Sequence, residues 1–202
     1  MPDRAVSYPM LTRETVDAWR RLIPSLASLP AAPLRGILHW TGGGPRANPI
    51  DLRHYHFVFN QPDGAVVLGS NRVAFNMGRI ARRYAAHTGG FNTGSVGFAF
   101  AGMADAAQGH RYGPYPLTEM QVRTGLAFVA LSLLTWKLPV SEATCFTHYE
   151  AWTLHRVKGE MNDQKWDITE LQFARHLGRD EVGPWMREVV RNHTAALQGL
   201  GC

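Results

Sequence analysis

Short apolar runs that end in polar or glycine-rich stretches dominate the pattern of this chain. Residues 34–40 read as a buried strand that is followed by a glycine-rich loop. Residues 54–69 alternate like two strands around a turn at 61–64, where Pro-Asp-Gly supplies the turn chemistry. Two more strand-like runs occupy 95–101, after a glycine-studded loop, and 143–150. The pattern therefore predicts several short strands spread along the chain.

Helical spacing alternates with these strands. Apolar residues recur at helical intervals from Thr12, a plausible N-cap, to about Ser28, where Pro30 and Pro33 follow. The clearest helix opens with a capping box at Thr118 and Gln121 and stays apolar for several turns. We also predict a helix from Thr169 to about Leu177 and a last helix over 183–198. We predict polar connections over 45–53 and 151–166, and a short helix or irregular segment over 71–84.

Strands mixed with helices in this way are typical of an α/β protein. We predict a single domain with a mixed central sheet that is flanked by helices on both faces. Within it, residues 1–33 form a helical extension packed on the domain, residues 34–178 form the main unit, and residues 179–202 form a C-terminal helix. The 202 residues, of which 45% are hydrophobic, suffice for one core of this kind.

The charge balance narrows the class of partner without choosing one. A formal charge of +5 suits an anionic partner, such as nucleic acid, a phosphate-rich cell-wall polymer or a membrane surface. The basic residues form only pairs, at 20–21 and 82–83, so we expect no nucleic-acid partner. The two cysteines, Cys145 and Cys202, provide no disulfide framework.

Apolar segments of the kind that target or anchor proteins are missing from the pattern. The first ten residues lack the apolar core of a signal peptide, so we expect none. The longest apolar stretch, 125–138, is too short to span a bilayer, so we expect no stable membrane insertion.

Two histidines each follow a short apolar run, at a position where we expect a strand of the sheet to end. His39 closes the run 36–39, and His148 follows Cys145-Phe146-Thr147. Two histidines from two strand ends can meet at one rim of a sheet, and a third ligand would complete a catalytic zinc site with one open position. Spacing alone does not choose the third ligand among the candidates near His148, which are Glu150, His155, Asp163 and Asp167.

Six motifs in order resemble a known family. They are ILHWTGG, HYHFVFNQPDGAVVLG, AHTGGFNTGSVGFAFAG, LTEMQ, FTHYE and KWD, and they span about residues 34–168. In this order they resemble the zinc-dependent N-acetylmuramoyl-L-alanine amidases of the type-2 amidase and peptidoglycan-recognition-protein superfamily, which includes phage endolysins.

The resemblance implies roles for individual residues. It implies that His39, His148 and Asp167 hold Zn²⁺ and that Tyr55 and Lys165 lie beside the open position as catalytic groups. The Lys-x-Asp spacing agrees, because side chains two apart in an extended segment share a face. The substrate-binding residues that we predict around this site are Trp40, His56, His87, Asn92 and Ser95.

Two departures from the family pattern affect the third ligand. Thr-His-Tyr-Glu stands at 147–150 where relatives often have Gly-His-x-Asp, and Ile168 stands where a proline often follows the last ligand. The segment between His148 and Asp167 is also long, so Asp163 and His155 remain alternative ligands.

The resemblance implies hydrolysis of the amide bond between N-acetylmuramic acid and L-alanine in bacterial peptidoglycan. We expect a monomer that lies in the host cytoplasm and, if it is a phage endolysin, reaches the cell wall through a holin. Two alternatives stay open: a module that recognises peptidoglycan without cutting it, and an amidase that recycles anhydro-muropeptides. The basic segment at 175–192 lies outside the resemblance and serves either packing or weak attachment to the wall.

Overall fold

A mixed sheet of five strands forms the centre of the protein. The computed structural model describes residues 11–80, 82–154 and 166–201. The strands follow the spatial order β3-β2-β4-β1-β5, and all neighbours are parallel except the antiparallel hairpin of β2 and β3. Their bounds are Arg35–Trp40 (β1), Phe57–Phe59 (β2), Val66–Leu68 (β3), Ser95–Phe100 (β4) and Cys145–Thr147 (β5).

Five α-helices and three short 3₁₀ turns complete the described elements. The side chain of Thr12 caps the first helix, and Thr118 with Gln121 forms a capping box on the third, as the sequence predicts. The helices are Arg13–Arg20 (α1), Pro49–His54 (α2), Glu119–Thr135 (α3), His148–Thr153 (α4) and Val182–Gly199 (α5), and the 3₁₀ turns are Leu26–Ser28, Val73–Asn76 and Gln172–Ala174.

The larger core lies on the face of the sheet that packs against α3. Leu38 and Trp40 of β1 point to this face, together with phenylalanines of β2 and β4. α3 approaches closely at Gly125, where a Cβ atom would lie 2.5 Å from the Phe100 ring. α1 and α5 pack on α3 in turn, so three helices cover this face.

The opposite face of the sheet carries smaller clusters and the polar groups of interest. Ile37 and Phe146 pack there against Ala151 of α4. Val58 and Ala99 pack against residues in and next to α2, namely Ala47, Leu52 and Tyr55. Because side chains alternate along a strand, His39 shares this face with Ile37. Helices thus flank the sheet on both faces, which confirms the predicted α/β architecture.

Several predicted elements were wrong in extent. The first helix ends at Arg20 instead of continuing to Ser28, since Pro24 disfavours a helical conformation in the residue before it. The predicted polar connections over 45–53 and 151–166 overlap α2 and the end of α4, and residues 155–165 of the second lie outside the described residues. The predicted helix from Thr169 to Leu177 is only the turn Gln172–Ala174, and the Thr169 hydroxyl donates to the Trp166 carbonyl instead of capping a helix.

The C-terminal segment forms the long helix α5, which has a packing role. Val182, Met186, Val190 and Leu197 are buried in the main core. No helix among the described residues combines the length and apolar character that crossing a bilayer requires.

Candidate metal centre

Parallel pairing of β1 and β5 brings the two predicted histidine ligands together. Leu38 of β1 pairs with Thr147 of β5, so the next residues, His39 and His148, lie side by side at the carboxyl ends of their strands. Their ring centroids are 4.6 Å apart, and both side chains are buried.

Asp167 completes the group. Its Oδ2 lies 3.0 Å from His39 Nδ1, and its Oδ1 lies 3.1 Å from His148 Nδ1. Burial disfavours ionisation of Asp167, but the charges and hydrogen bonds of His148 and His39 outweigh it and hold the carboxyl pKa below its usual value. The carboxylate is therefore ionised and ready to act as a ligand.

The donor set fits a zinc ion. One ligand atom from each of His39, His148 and Asp167 lies within 4.8 Å of the others. Tetrahedral zinc with bonds of about 2.0–2.2 Å places neighbouring ligands about 3.4 Å apart, and the observed distances of 3.0 and 3.1 Å from Asp167 oxygens to His39 and His148 lie close to this spacing. Two imidazoles and a carboxylate also match the ligand types of catalytic zinc, which keeps a fourth position open.

The remaining candidates for the third ligand separate into two groups. Glu150 turns away from the histidines: its Oε2 accepts from the Thr147 backbone N–H at 2.9 Å and from Arg187 Nη1 at 2.8 Å. His155 and Asp163 lie outside the described residues, as does the predicted catalytic Lys165.

His87 contacts the ring nitrogen of His39 that does not face Asp167. Its Nδ1 lies 3.3 Å from His39 Nε2, and the Thr88 hydroxyl lies 3.4 Å from the same nitrogen. The His87 ring covers Gly97 of β4, where a Cβ atom would lie only 2.7 Å from the His87 Cγ. His87 Nε2 has no hydrogen-bond partner among the described residues. Burial, reinforced by His39 and the other nearby histidines, lowers the His87 pKa well below its usual value.

His56 is buried next to the His87 ring and stabilises the loop that carries His87. Its Nδ1 accepts from the Gly97 N–H at 2.9 Å, so the proton is on Nε2, which donates to Asn76 Oδ1 at 3.1 Å. Burial lowers the His56 pKa to about 4, so the ring is neutral. Asn92 Oδ1 accepts from the backbone N–H groups of His87 and Thr88. His56 and Asn92 therefore hold the site together from inside the protein.

Tyr55 lies beside His39, with 5.1 Å between the ring centroids. Its hydroxyl donates to the Trp40 carbonyl at 3.5 Å. Burial, together with the nearby charges of Asp167 and Asp51, raises the Tyr55 pKa, so the phenol keeps its proton and can act as a hydrogen-bond donor.

The other two predicted substrate-binding residues are buried. Trp40 is 7% exposed, and its ring meets the Trp166 ring edge-on at 4.7 Å between centroids. Ser95 is fully buried, and its hydroxyl donates to the Phe91 carbonyl.

A cavity of about 390 Å³ opens over the candidate metal centre and is lined by Tyr55, His148 and Asp167, among others. A groove of about 590 Å³ adjoins it, because His54 and Ala86 line both spaces. Exposed Arg53, Arg82 and Arg83 surround this groove, and none of the three has a carboxylate partner among the described residues. The site is thus concave and continues into a positively charged surface.

Sequence reasoning missed three residues that shape this site: Asn76, Thr88 and Arg187. Thr88 adjoins the predicted His87 and could have been considered with it. Asn76 and Arg187 are distant in sequence from the groups that they contact, so no local pattern marked them.

Comparisons with known proteins add little. No family model matches the chain, and no curated protein matches it. Among solved structures, the Ph2119 endolysin from Thermus scotoductus MAT2119 bacteriophage Ph2119 is similar, with a TM-score of 0.41 and 16% sequence identity over 71% of this chain and 85% of that chain. Likeness at this level carries no functional argument, and the fold and site define this chain as an α/β protein with a candidate three-ligand metal centre.

Proposed function

We propose that the protein is a peptidoglycan hydrolase, specifically a zinc-dependent N-acetylmuramoyl-L-alanine amidase. The observation that carries the proposal is the convergence of His39, His148 and Asp167 at the carboxyl ends of two parallel strands. These residues are the ligands that the resemblance implies, and their donor atoms suit a catalytic zinc site.

The three ligands and their supports have distinct roles in this proposal. Zinc, when bound, polarises an amide carbonyl and lowers the pKa of a water molecule towards about 7. His39 and His148 would bind through Nδ1, the atoms that face Asp167. His87 and Thr88 contact the other nitrogen of His39 and so fix the orientation of its ring.

Tyr55 is suited to stabilise the negative charge that develops on the carbonyl oxygen of the scissile amide. Its raised pKa keeps the hydroxyl protonated, and it lines the cavity over the metal centre. Lys165 remains a prediction for the same task, because its ammonium group can stabilise an oxyanion but cannot bind zinc.

The charge of the adjoining groove supports peptidoglycan as the substrate. The stem peptides of peptidoglycan carry carboxylates, and the groove presents Arg53, Arg82 and Arg83 without acidic partners among the described residues. Opposite charges raise the local concentration of such a substrate, so binding should weaken as salt increases. A monomeric state and release through a holin also remain predictions.

Metal analysis together with digestion of peptidoglycan tests the proposal. The protein should bind about one zinc per chain, and digestion should release stem peptides that begin with L-alanine while the glycan strands stay intact. His39→Ala, His148→Ala and Asp167→Ala should each lose zinc and activity, whereas His176→Ala, which changes an exposed histidine, should keep both. Lys165→Ala should keep zinc and lose a factor of about 10² or more in turnover.

Other outcomes would point to the alternatives. Full activity without metal, or new reducing ends without new amino groups, would refute the amidase. Retention of zinc by Asp167→Ala with loss of zinc in Asp163→Ala or His155→Ala would move the third ligand. Binding of peptidoglycan without cleavage would favour a recognition module, and cleavage of anhydro-muropeptides alone would favour a recycling enzyme.

A further inference from the structure

A buried arginine on α5 contacts the junction that presents His148. Arg187 is only 2% exposed, and its Nη1 lies 2.8 Å from Glu150 Oε2 and 3.3 Å from the carbonyl oxygen of Cys145. Cys145 begins β5, and Glu150 lies in the first turn of α4. One guanidinium nitrogen therefore ties the strand that precedes His148 to the helix that begins with it.

Stability alone does not account for this pair. Removing two charges from water has a large desolvation cost, and replacing a buried pair with apolar residues is often neutral or stabilising. The pair is therefore weak evidence for a stabilising role, and its place at this junction favours a role in fixing the local backbone geometry.

Glu150 defines where α4 begins. Its Oε2 accepts from the Thr147 backbone N–H at 2.9 Å, and the Thr147 hydroxyl accepts from the Glu150 N–H at 3.2 Å. This reciprocal capping box makes His148 the first helical residue. The carboxylate that Arg187 holds thus sets the backbone from which the His148 ring projects.

Other contacts seat the N-terminal part of α5 against the same turn. A Cβ atom at Gly183 would lie 2.3 Å from the Glu150 carboxyl group, so a side chain there would displace that group from its present position. The Tyr149 hydroxyl donates to Asp180 Oδ1 at 2.9 Å, just before α5. The Tyr149 backbone N–H donates to the carbonyl of Asp167 at 2.7 Å, which links the turn to the third ligand.

From these contacts we infer that Arg187 is a positioning residue for the metal centre: through Glu150 and Thr147 it fixes His148 relative to Asp167 and His39. The inference rests on the proposed zinc site. It gives α5, which lies outside the resemblance to the amidases, a part in positioning the ligands.

Zinc affinity measured by competition with a chelator tests the inference, with the visible spectrum of the Co²⁺-substituted protein as a second readout. Arg187→Met should weaken zinc binding by about 10–100-fold, the usual effect of removing a group that orients a ligand. Arg187→Lys, which keeps the charge but not the guanidinium geometry, should recover part of the loss and restore part of the cobalt spectrum.

Two further variants separate positioning from folding. The double variant Arg187→Met/Glu150→Gln leaves no unpaired charge in the interior, because the other carboxylate partner of Arg187, Glu142, is exposed. It also keeps an oxygen that can accept from Thr147, so it should fold stably and still bind zinc at least about 10-fold more weakly. Leu197→Ala creates a cavity in α5 away from the site, so it should lower the melting temperature while keeping zinc affinity within about twofold.

The outcomes distinguish the inference from the proposed function. If the unaltered protein binds zinc and the Arg187→Met/Glu150→Gln variant binds it equally well, the inference is wrong and the proposed function stands. It is also wrong if Leu197→Ala weakens zinc binding as much as the arginine variants do. If the unaltered protein binds no zinc, the proposed function fails and the inference fails with it.

Discussion

Replacing Gly97 with alanine should destabilise the protein by forcing the His87 ring off β4. The added methyl group would lie 2.7 Å from His87 Cγ and 2.8 Å from Cδ2, whereas carbon atoms in contact prefer about 3.5–4.0 Å. The ring would therefore have to move by about 1 Å. It has little room, because His39 lies 3.3 Å from it on one side and the His56 ring packs on another.

Overpacking of this kind costs about 1–3 kcal/mol. For a chain of this length each kcal/mol lowers the melting temperature by about 2–4 °C, so we expect a decrease of about 2–12 °C in calorimetry. Gly44→Ala is a matched control, since a Cβ atom there meets nothing within 4 Å and the backbone is not left-handed. That control should change stability by less than about 1 kcal/mol.

A double-mutant cycle tests the assigned cause. In a His87→Gly background neither the ring nor the Cβ atom of residue 87, which lies 3.1 Å from the added methyl group, remains, so the cost of Gly97→Ala should fall below about 0.5 kcal/mol. An equal cost in both backgrounds would refute the reasoning, because the clash would then lie elsewhere.

Three other predictions address separate groups. Burial lowers the His56 pKa to about 4, against about 6.5 in the unfolded chain, so the unfolded state binds more protons between these two pH values. The contribution of His56 to the free energy of unfolding should therefore fall by roughly 3 kcal/mol as the pH drops from 6.5 to 4. Urea midpoints that stay constant over this range would contradict the prediction. Burial raises the Cys145 pKa to about 12. In a Cys202→Ser variant the remaining thiol should therefore resist iodoacetamide at pH 8 until urea unfolds the chain. Rapid labelling of the native protein would argue against the burial of Cys145. Tyr55→Phe should keep zinc and lose about 10² or more in turnover, whereas a variant of undiminished activity would remove Tyr55 from the mechanism.

The sequence was most informative where a short apolar run ended in a reactive side chain. The runs before His39 and His148 predicted two strand ends, and parallel pairing in register made the two residues neighbours. Local signals were sometimes present and still missed. The segment 45–53, which we interpreted as a connection, contains a helix start that is formed by Asn48, Pro49 and Asp51.

Other features could not be judged from the local pattern. The spacing of Thr169 and Gln172 matches a capping box, yet the structure has only the short turn Gln172–Ala174 there, because local propensity alone does not decide whether a helix forms. The contacts of Asn76 with His56 and of Arg187 with Glu150 join residues far apart in sequence, so they follow from the fold and not from any pattern along the chain.

The order of the ligands along the chain has a consequence for biosynthesis. His39 lies in the first of the five strands to be made, whereas His148 and Asp167 follow the last. β1 is complete early, but its partners β4 and β5 emerge much later, and β5 reaches β1 only after α3 has crossed the sheet. A nascent chain that stops before β5 holds one of the three ligands. All three candidate ligands are therefore present in a growing chain only once residue 167 has been added.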